Sequence, residues 1–231
     1  MKYLLLLFLP FLACEEIDPN VYLVKKTEAK GVLLSGRGDD PLWGEANSLT
    51  NFSYPWREEA APETEFRALW NEDYFFFRYN AQDPDIITQM DSSLSLEMQA
   101  VASDRVEIFF KSDDEMNPYY SLEMDALGRM YDSEGRYHRN IDSDWNWPEG
   151  GIQIYASLYK GGYILEGAIS IKSLEMLGMK DGNILKAGLY RGEYVKEEEE
   201  IKVKWISWIM PDSETPDFHI PSSFGTIKLL E

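Results

Sequence analysis

The sequence predicts an all-β protein, an antiparallel β-sandwich of the immunoglobulin-like or jelly-roll-like kind with one short helix. Three observations predict it. Short β-branched and aromatic runs follow one another along most of the chain, turn residues separate them, and a single stretch reads as helical. The chain of 231 residues is long enough to bury a substantial core.

The first clear pair is Thr64–Trp70 and Tyr74–Asn80, with Asn71, Glu72 and Asp73 between them as a hairpin signal. Arg105–Lys111 alternates with period two. Val106, Ile108 and Phe110 share one face, and Arg105, Glu107, Phe109 and Lys111 the other. Tyr119–Asp125 alternates in the same way, and the polar linker Ser112–Pro118 joins the two. Further strands are expected at Gly151–Tyr159, Tyr163–Ser170, Leu185–Tyr194, Glu200–Trp208 and Gly225–Leu230, with a Gly161-Gly162 turn between the first two. Ile171–Gly178 reads as the helix, which Gly178 ends. The Glu197–Glu200 charge run suits a solvated hairpin tip.

The N-terminus carries a different signal. Lys2 precedes an apolar run from Tyr3 to Ala13, followed by Cys14, the only cysteine in the chain, and then Glu15, Glu16 and Asp18. Such a run is a secretory signal, too short to span a bilayer, which needs roughly 20 apolar residues. A cysteine directly after it resembles the lipobox of bacterial lipoproteins, where the cysteine is acylated and becomes the first mature residue. The acidic residues that follow resemble the export tag of surface lipoproteins in Bacteroidetes. The resemblance implies an exported protein, lipid-anchored to the outer membrane and surface-exposed. The expected organisation is a signal peptide over 1–13, an acylated cysteine and extended tether over 14–28, and one β-sandwich over 29–231.

Charge narrows the partners. The chain has 41 acidic and 22 basic residues, a net charge of −19, which repels phosphate backbones and argues against nucleic acid. Acidic side chains do suit Ca²⁺, which prefers oxygen ligands. Asp104, just before the Arg105 strand, either binds backbone N–H groups of its own loop or holds a structural Ca²⁺. Aromatic residues make up 14 % of the chain, with seven Trp and fourteen Tyr. No catalytic constellation stands out. The two histidines, His138 and His219, are far apart, and no Gly-rich phosphate loop, nucleophile elbow or metal-protease helix occurs.

Seven motifs in order resemble family 9 carbohydrate-binding modules. Ser35-Gly36-Arg37-Gly38-Asp39-Asp40-Pro41-Leu42-Trp43 is similar to the family's opening, and Trp70-Asn71-Glu72-Asp73-Tyr74-Phe75-Phe76 to its Trp-Asp-Asp-x-Tyr hairpin. Asp83-Pro84 follows. Asp104-Arg105-Val106-Glu107-Ile108-Phe109 is close to the Asp-x-Val-Glu-Ile-Phe signature, and Tyr119-Tyr120 through Gly128 continue it. Gly162-Tyr163-Ile164-Leu165-Glu166 resembles the Gly-Tyr-x-x-Glu strand. Trp205-Ile206-Ser207-Trp208 and Phe218 to Gly225 close the series. The resemblance spans roughly Gly31 to Leu230. It implies the sandwich fold and a non-catalytic, glycan-binding or accessory role.

The family's sugar site resembles a clamp with one Trp on each side of the glycan. Here the first clamp position falls near Val101-Ala102 and the second near Phe218-His219. A strand position that can carry an Arg ligand is Glu123. Substitute aromatics are therefore sought elsewhere. Trp145 and Trp147 stand in a polar loop, Asp144-Trp145-Asn146-Trp147-Pro148, where an exposed indole would stack on a pyranose ring. Trp208 sits where its strand leaves the sheet and is expected on the same rim. Glu107 is either a cross-strand partner or an acceptor for sugar hydroxyls. Trp145, Trp147, Trp208, Glu107, Phe218 and His219 are thus expected to converge on one face. Two other classes stay open. Similar sandwiches hold haem through Met and His ligands, and the many carboxylates leave a glycosidase pair open.

The anchor is directly testable. Two or three acyl chains give stable attachment where one is marginal. Cys14→Ser should release the protein from membranes or leave its precursor uncleaved. Mass spectrometry that finds an unmodified mature N-terminus elsewhere would remove the anchor.

Overall fold

The computed structural model describes residues 18–28 and 30–231, so Cys14 and the apolar run before it lie outside the described residues. Strands β1 (Val21–Lys26), β2 (Ser48–Leu49), β3 (Thr64–Trp70) and β4 (Tyr74–Gln82) come first, with a 3-10 turn at Pro41–Gly44. Helix α1 (Leu96–Val101) precedes β5 (Arg105–Lys111), β6 (Tyr119–Asp125), β7 (Met130–Arg136) and β8 (Asn140–Asp142). Then come β9 (Ile152–Tyr159), β10 (Gly162–Ser170), helix α2 (Ile171–Met176), β11 (Lys180–Asp181), β12 (Ile184–Glu197), β13 (Glu200–Ser207) and β14 (Gly225–Leu229).

The strands run in the order β8-β7-β6-β5-β12-β14-β1-β3-β4-β10-β9, with β11 and β13 on β12 and β2 on β3. The sheet folds on itself into a sandwich. Phe66, Phe75, Phe77 and Tyr79 from one layer meet Val106, Ile108, Phe110, Leu122 and Leu189 from the other, all essentially without solvent contact. Nearly every pairing is antiparallel, as expected. β1 is the exception: Val21–Val24 pair in parallel with β14, and Lys25 and Lys26 in parallel with β3.

That placement corrects the tether. The chain is extended here, but from Val21 it is a paired strand, with Tyr22 and Val24 buried. A second correction concerns helices. α2 starts as expected at Ile171 and ends at Met176, two residues before Gly178, whose φ of +72° suits glycine at little cost. α1 was not legible. It is one and a half turns, capped by Ser95 accepting from the Met98 N–H at 3.1 Å, and too short for a periodic signal. β7 carries Asp132, Glu134 and Gly135 and β8 carries Asn140 and Asp142, residues that strands disfavour; pairing of β7 with β6, and of β8 with β7, imposes their form.

One feature of the sheet positions everything that follows. β5 is buried on both faces, all seven residues of it. Its apolar face fills the sandwich. Its other face, carrying Arg105, Glu107 and Phe109, is covered by β13 and by a strap over residues 209–224 that crosses the outside of the sheet. Tyr190 on β12 sits beneath this strap. Its ring lies over Gly188, where an added Cβ would come 1.9 Å from the Tyr190 hydroxyl. Gly188→Ala should therefore displace the ring and cost about 1–3 kcal/mol, the range for an overfilled packed site. Gly44→Ala, where nothing lies within 4 Å, is the control. Equal urea midpoints for both variants would show that the ring moves without loss.

Candidate functional site

The outer face of β5 sets the site. Arg105, Glu107 and Phe109 alternate along it, Glu123 stands opposite Glu107 on β6, and Tyr190 stands opposite it on β12. Glu107 and Arg105 are only 2 % and 5 % exposed, so their charges have to be satisfied inside the protein. The Arg105 Nε donates to Glu107 at 2.8 Å and to Glu123 at 2.9 Å. Its Nη1 donates to the Val101 carbonyl at 2.7 Å and reaches the Tyr194 hydroxyl at 3.2 Å. The guanidinium also lies 5.1 Å from the centroid of the Trp205 ring, in cation–π range. Gly192 makes this layering fit. It stands opposite both Arg105 and Trp205, and a Cβ there would press on each at 3.2–3.3 Å.

Two carboxylates thus face one guanidinium. Burial drives the proton affinity of Glu107 up first, and the adjacent Glu123 charge adds to it, while Arg105 pulls the other way. Burial raises Glu123 as well. The pair behaves as a unit that holds on to a proton between its two carboxyl groups.

The strap closes the other side. Phe218 stacks on Tyr190 with ring centroids 4.0 Å apart and planes 7° from parallel. Trp205 meets Phe218 edge-on at 5.7 Å, and Trp56 lies 5.4 Å from it. The Tyr190 hydroxyl bonds Ser223 at 2.8 Å. Asp217 ties the strap to the β7–β8 hairpin through His138 at 2.9 Å and Arg139 at 2.8 Å. The His219 Nδ1 meets the Tyr119 hydroxyl at 2.8 Å. Between strap and sheet lies a recess of about 170 Å³, with Glu107, Glu123 and Arg105 among its walls together with Trp205, Phe218 and His219. Trp205 is also a wall of an adjoining hollow of about 370 Å³ that reaches Trp56 and Arg57.

The expected convergence therefore holds for Glu107, Phe218 and His219 and fails for the rest. Trp147 is buried in the core against Phe110 and Tyr120, its backbone N–H on Asp132 and its indole N–H on Ser173 at 3.2 Å. Trp145 packs on Tyr120 at 4.9 Å. Phe110 and Tyr120 belong to the inner face, so both Trp lie on the side of the sheet away from Glu107. The polar loop residues around them face out, and the two indoles plug the end of the sandwich. Trp208 is likewise core, 4 % exposed, donating its indole N–H to the Pro19 carbonyl at 3.0 Å. An odd offset of three along an extended chain puts Trp205 and Trp208 on opposite sides. Trp205 is the residue the rim uses, and alternation counted from Trp208 would have found it.

Asp104 is no metal ligand in this arrangement. It has no solvent contact, and its two carboxylate oxygens accept the backbone N–H groups of Ile87 at 2.5 Å and Tyr194 at 2.6 Å. Burial pushes its carboxyl up to about 7 despite those bonds. It staples the loop after β4 to β12. Among the described residues, no group of three or more His, Cys, Asp or Glu is arranged to hold a metal ion. The calcium expectation is thus not supported by the donor set.

Against known proteins, the family model described as carbohydrate family 9 binding domain-like matches residues 34–231. A family 9 carbohydrate-binding module from Caldicellulosiruptor kristjanssonii, solved with cellotriose, is similar at a TM-score of 0.59 and 15 % identity, over 90 % of this chain and 93 % of that one. The same module solved with glucose covers 91 % and 95 %, again at 0.59 and 15 %. A candidate carbohydrate-binding protein from Bacteroides uniformis is similar at 0.61 and 18 %, over 91 % and 99 %. No curated protein matches the chain.

The strap has a pH signature. Burial, helped by Arg139, lowers the His219 pKa from 6.5 to about 4. Between those values the unfolded chain binds a proton that the folded chain refuses, so this stability is complete above about pH 6.5 and lost as pH falls toward 4. Measured by urea unfolding, the advantage of wild type over His219→Gln should shrink on the order of 2 kcal/mol across that window. A constant difference would mean that His219 titrates alike in both states.

Proposed function

Because the chain belongs to the carbohydrate family 9 binding domain-like family, matched over residues 34–231, we propose that it is a non-catalytic glycan-binding module on an exported, lipid-anchored protein of the outer-membrane surface. The observation that carries the reading is the recess itself. Hydrogen-bonding groups, Glu107 and Glu123, meet an aromatic wall, Trp205, in a cavity of about 170 Å³ between the sheet and the strap. Carboxylates accept from sugar hydroxyls, and an indole face covers the C–H face of a pyranose ring. Cellotriose and glucose in the similar modules support a glycan as the ligand. Cys14 and the acidic residues after it support the anchor and export.

Trp205 and Phe218 replace the expected clamp. The first clamp position is occupied by the end of α1, where the Val101 carbonyl serves as an acceptor for Arg105 and presents no ring. A single indole wall above a charged floor therefore stands where two rings are expected. It suits the end of a chain or a single residue, while the hollow beyond Trp205 leaves room for a neighbouring residue.

The carboxylates argue against hydrolysis. A glycosidase pair flanks the scissile bond about 5 Å or more apart. Glu107 and Glu123 instead bond to one Arg105 nitrogen and to each other, so guanidinium and proton fill the space between them.

Titration of the full chain with cellotriose tests the reading. Trp205→Ala should weaken binding roughly tenfold or more, the loss of about 1–3 kcal/mol of apolar contact. The melting curve serves as the folding control. Unchanged affinity in a folded variant, or no binding to any glycan on an array, would overturn the assignment.

A further inference from the structure

The carboxyl groups in the recess outnumber the cations that serve them. Arg139 is committed to Asp217 at 2.8 Å. That leaves Arg105, among the described residues that line the recess, as the one cation for the buried Glu107 and the largely covered Glu123, at 2.8 and 2.9 Å from the same nitrogen. The second carboxyl has no cation of its own, and it is the shared proton that keeps the site from carrying a costly unbalanced charge. A metal ion does not fit the described donors. The uncharged walls are Trp205, Phe109, Pro216, Phe218 and the neutral His219, a mostly apolar lining for an organic body with an apolar face.

We propose that this recess selects a hexopyranose carrying a primary amine, its ammonium settling on the Glu107–Glu123 pair while its ring lies against Trp205. The proposal rests on the glycan-binding reading and deepens it. It also excludes a class, since uronic acids and sulfated sugars bring a negative charge to a site whose one guanidinium is already committed to two carboxyls.

The exchange balances. In the free protein the pair retains a proton, driven by burial and by the mutual repulsion of the two carboxylates. An arriving ammonium supplies the missing positive charge, and that proton leaves to solvent. The other groups facing the pair hold their state over the working range. Arg105 on β5 stays charged. Tyr190 on β12 stays protonated, its pKa raised by burial. On the strap, His219 is neutral above about pH 4, and the carboxyl of Asp217 is held low beside His138 and Arg139. Amine binding should therefore strengthen as pH rises from 5 toward the pKa of the amine itself, above which the amine arrives neutral and takes up the pair's proton with no release; a neutral sugar should not show that slope.

Calorimetry on the full chain tests this with three β-linked trimers: glucosamine, N-acetylglucosamine and cellotriose. Glucosamine trimer should bind about tenfold more tightly than the other two at pH 7, the scale of one charged hydrogen bond. Its binding should release protons, seen as a heat that changes between phosphate and Tris buffers, and Glu123→Gln should abolish the preference. Equal affinities for glucosamine trimer and cellotriose overturn this inference and leave the glycan reading standing. Binding of none of the three removes both. A preference that survives Glu123→Gln reflects the overall negative charge and overturns the site. Ethylammonium binding as tightly as the trimer overturns the sugar class. Where Glu123→Gln does not fold, wild-type proton release decides, and its absence overturns the exchange.

Discussion

A single guanidinium organises the outer face of this sandwich. Arg105 reaches Glu107 on its own strand, Glu123 on β6, the Val101 carbonyl at the end of α1 and the Tyr194 hydroxyl on β12. Trp205 on β13 covers it. Such a charge is expensive to bury, and the expense is offset only when all its donors are met. Removing a partner leaves a charge with little solvent to replace it. Four elements are therefore held in one arrangement by a requirement of electrostatics, and the strap that excludes water from them becomes part of the requirement.

The strap in turn depends on aromatic fit. Tyr190 lies flat against Phe218 and bonds Ser223, so ring stacking and a hydroxyl act on the same segment from two directions. Glycines 188 and 192 leave the space beneath, one for the Tyr190 ring and one for the Arg105–Trp205 layer. Glycine is unfavourable inside a strand, so its double use in β12 indicates that room over the sheet outweighs local propensity here.

Much of this was readable from the chain alone, and the failures share one cause. Strands with strong alternation, such as β5 and β6, were placed correctly, because period two needs no tertiary information. The pair Glu107 and Phe218-His219 was reachable from motif order. What could not be read was which face a strap would cover. Alternation in β5 marks Arg105 and Glu107 as the polar face, and polar faces are ordinarily wet. Burial of that face depends on residues about a hundred positions away. Trp145 and Trp147 misled for the converse reason: polar neighbours in sequence describe a loop, and the indoles themselves turn inward. α1 and β7 were invisible because neither has the length or composition that local preference detects. β1 looked like a linker because its pairing partners lie at the far end of the chain and at β3.

β1 also decides how the molecule bears load. It is hydrogen-bonded in parallel to β14 along Val21–Val24 and to β3 at Lys25 and Lys26, so it stitches the two layers together. A pull along the strand from its N-terminal side strains these rungs together, in shear, instead of opening them one after another like a zip. The side chains of Tyr22 and Val24, locked in the core, resist the same displacement. β1 is thus a mechanical clasp, and a load applied at its N-terminal end would be transmitted through the width of both sheets.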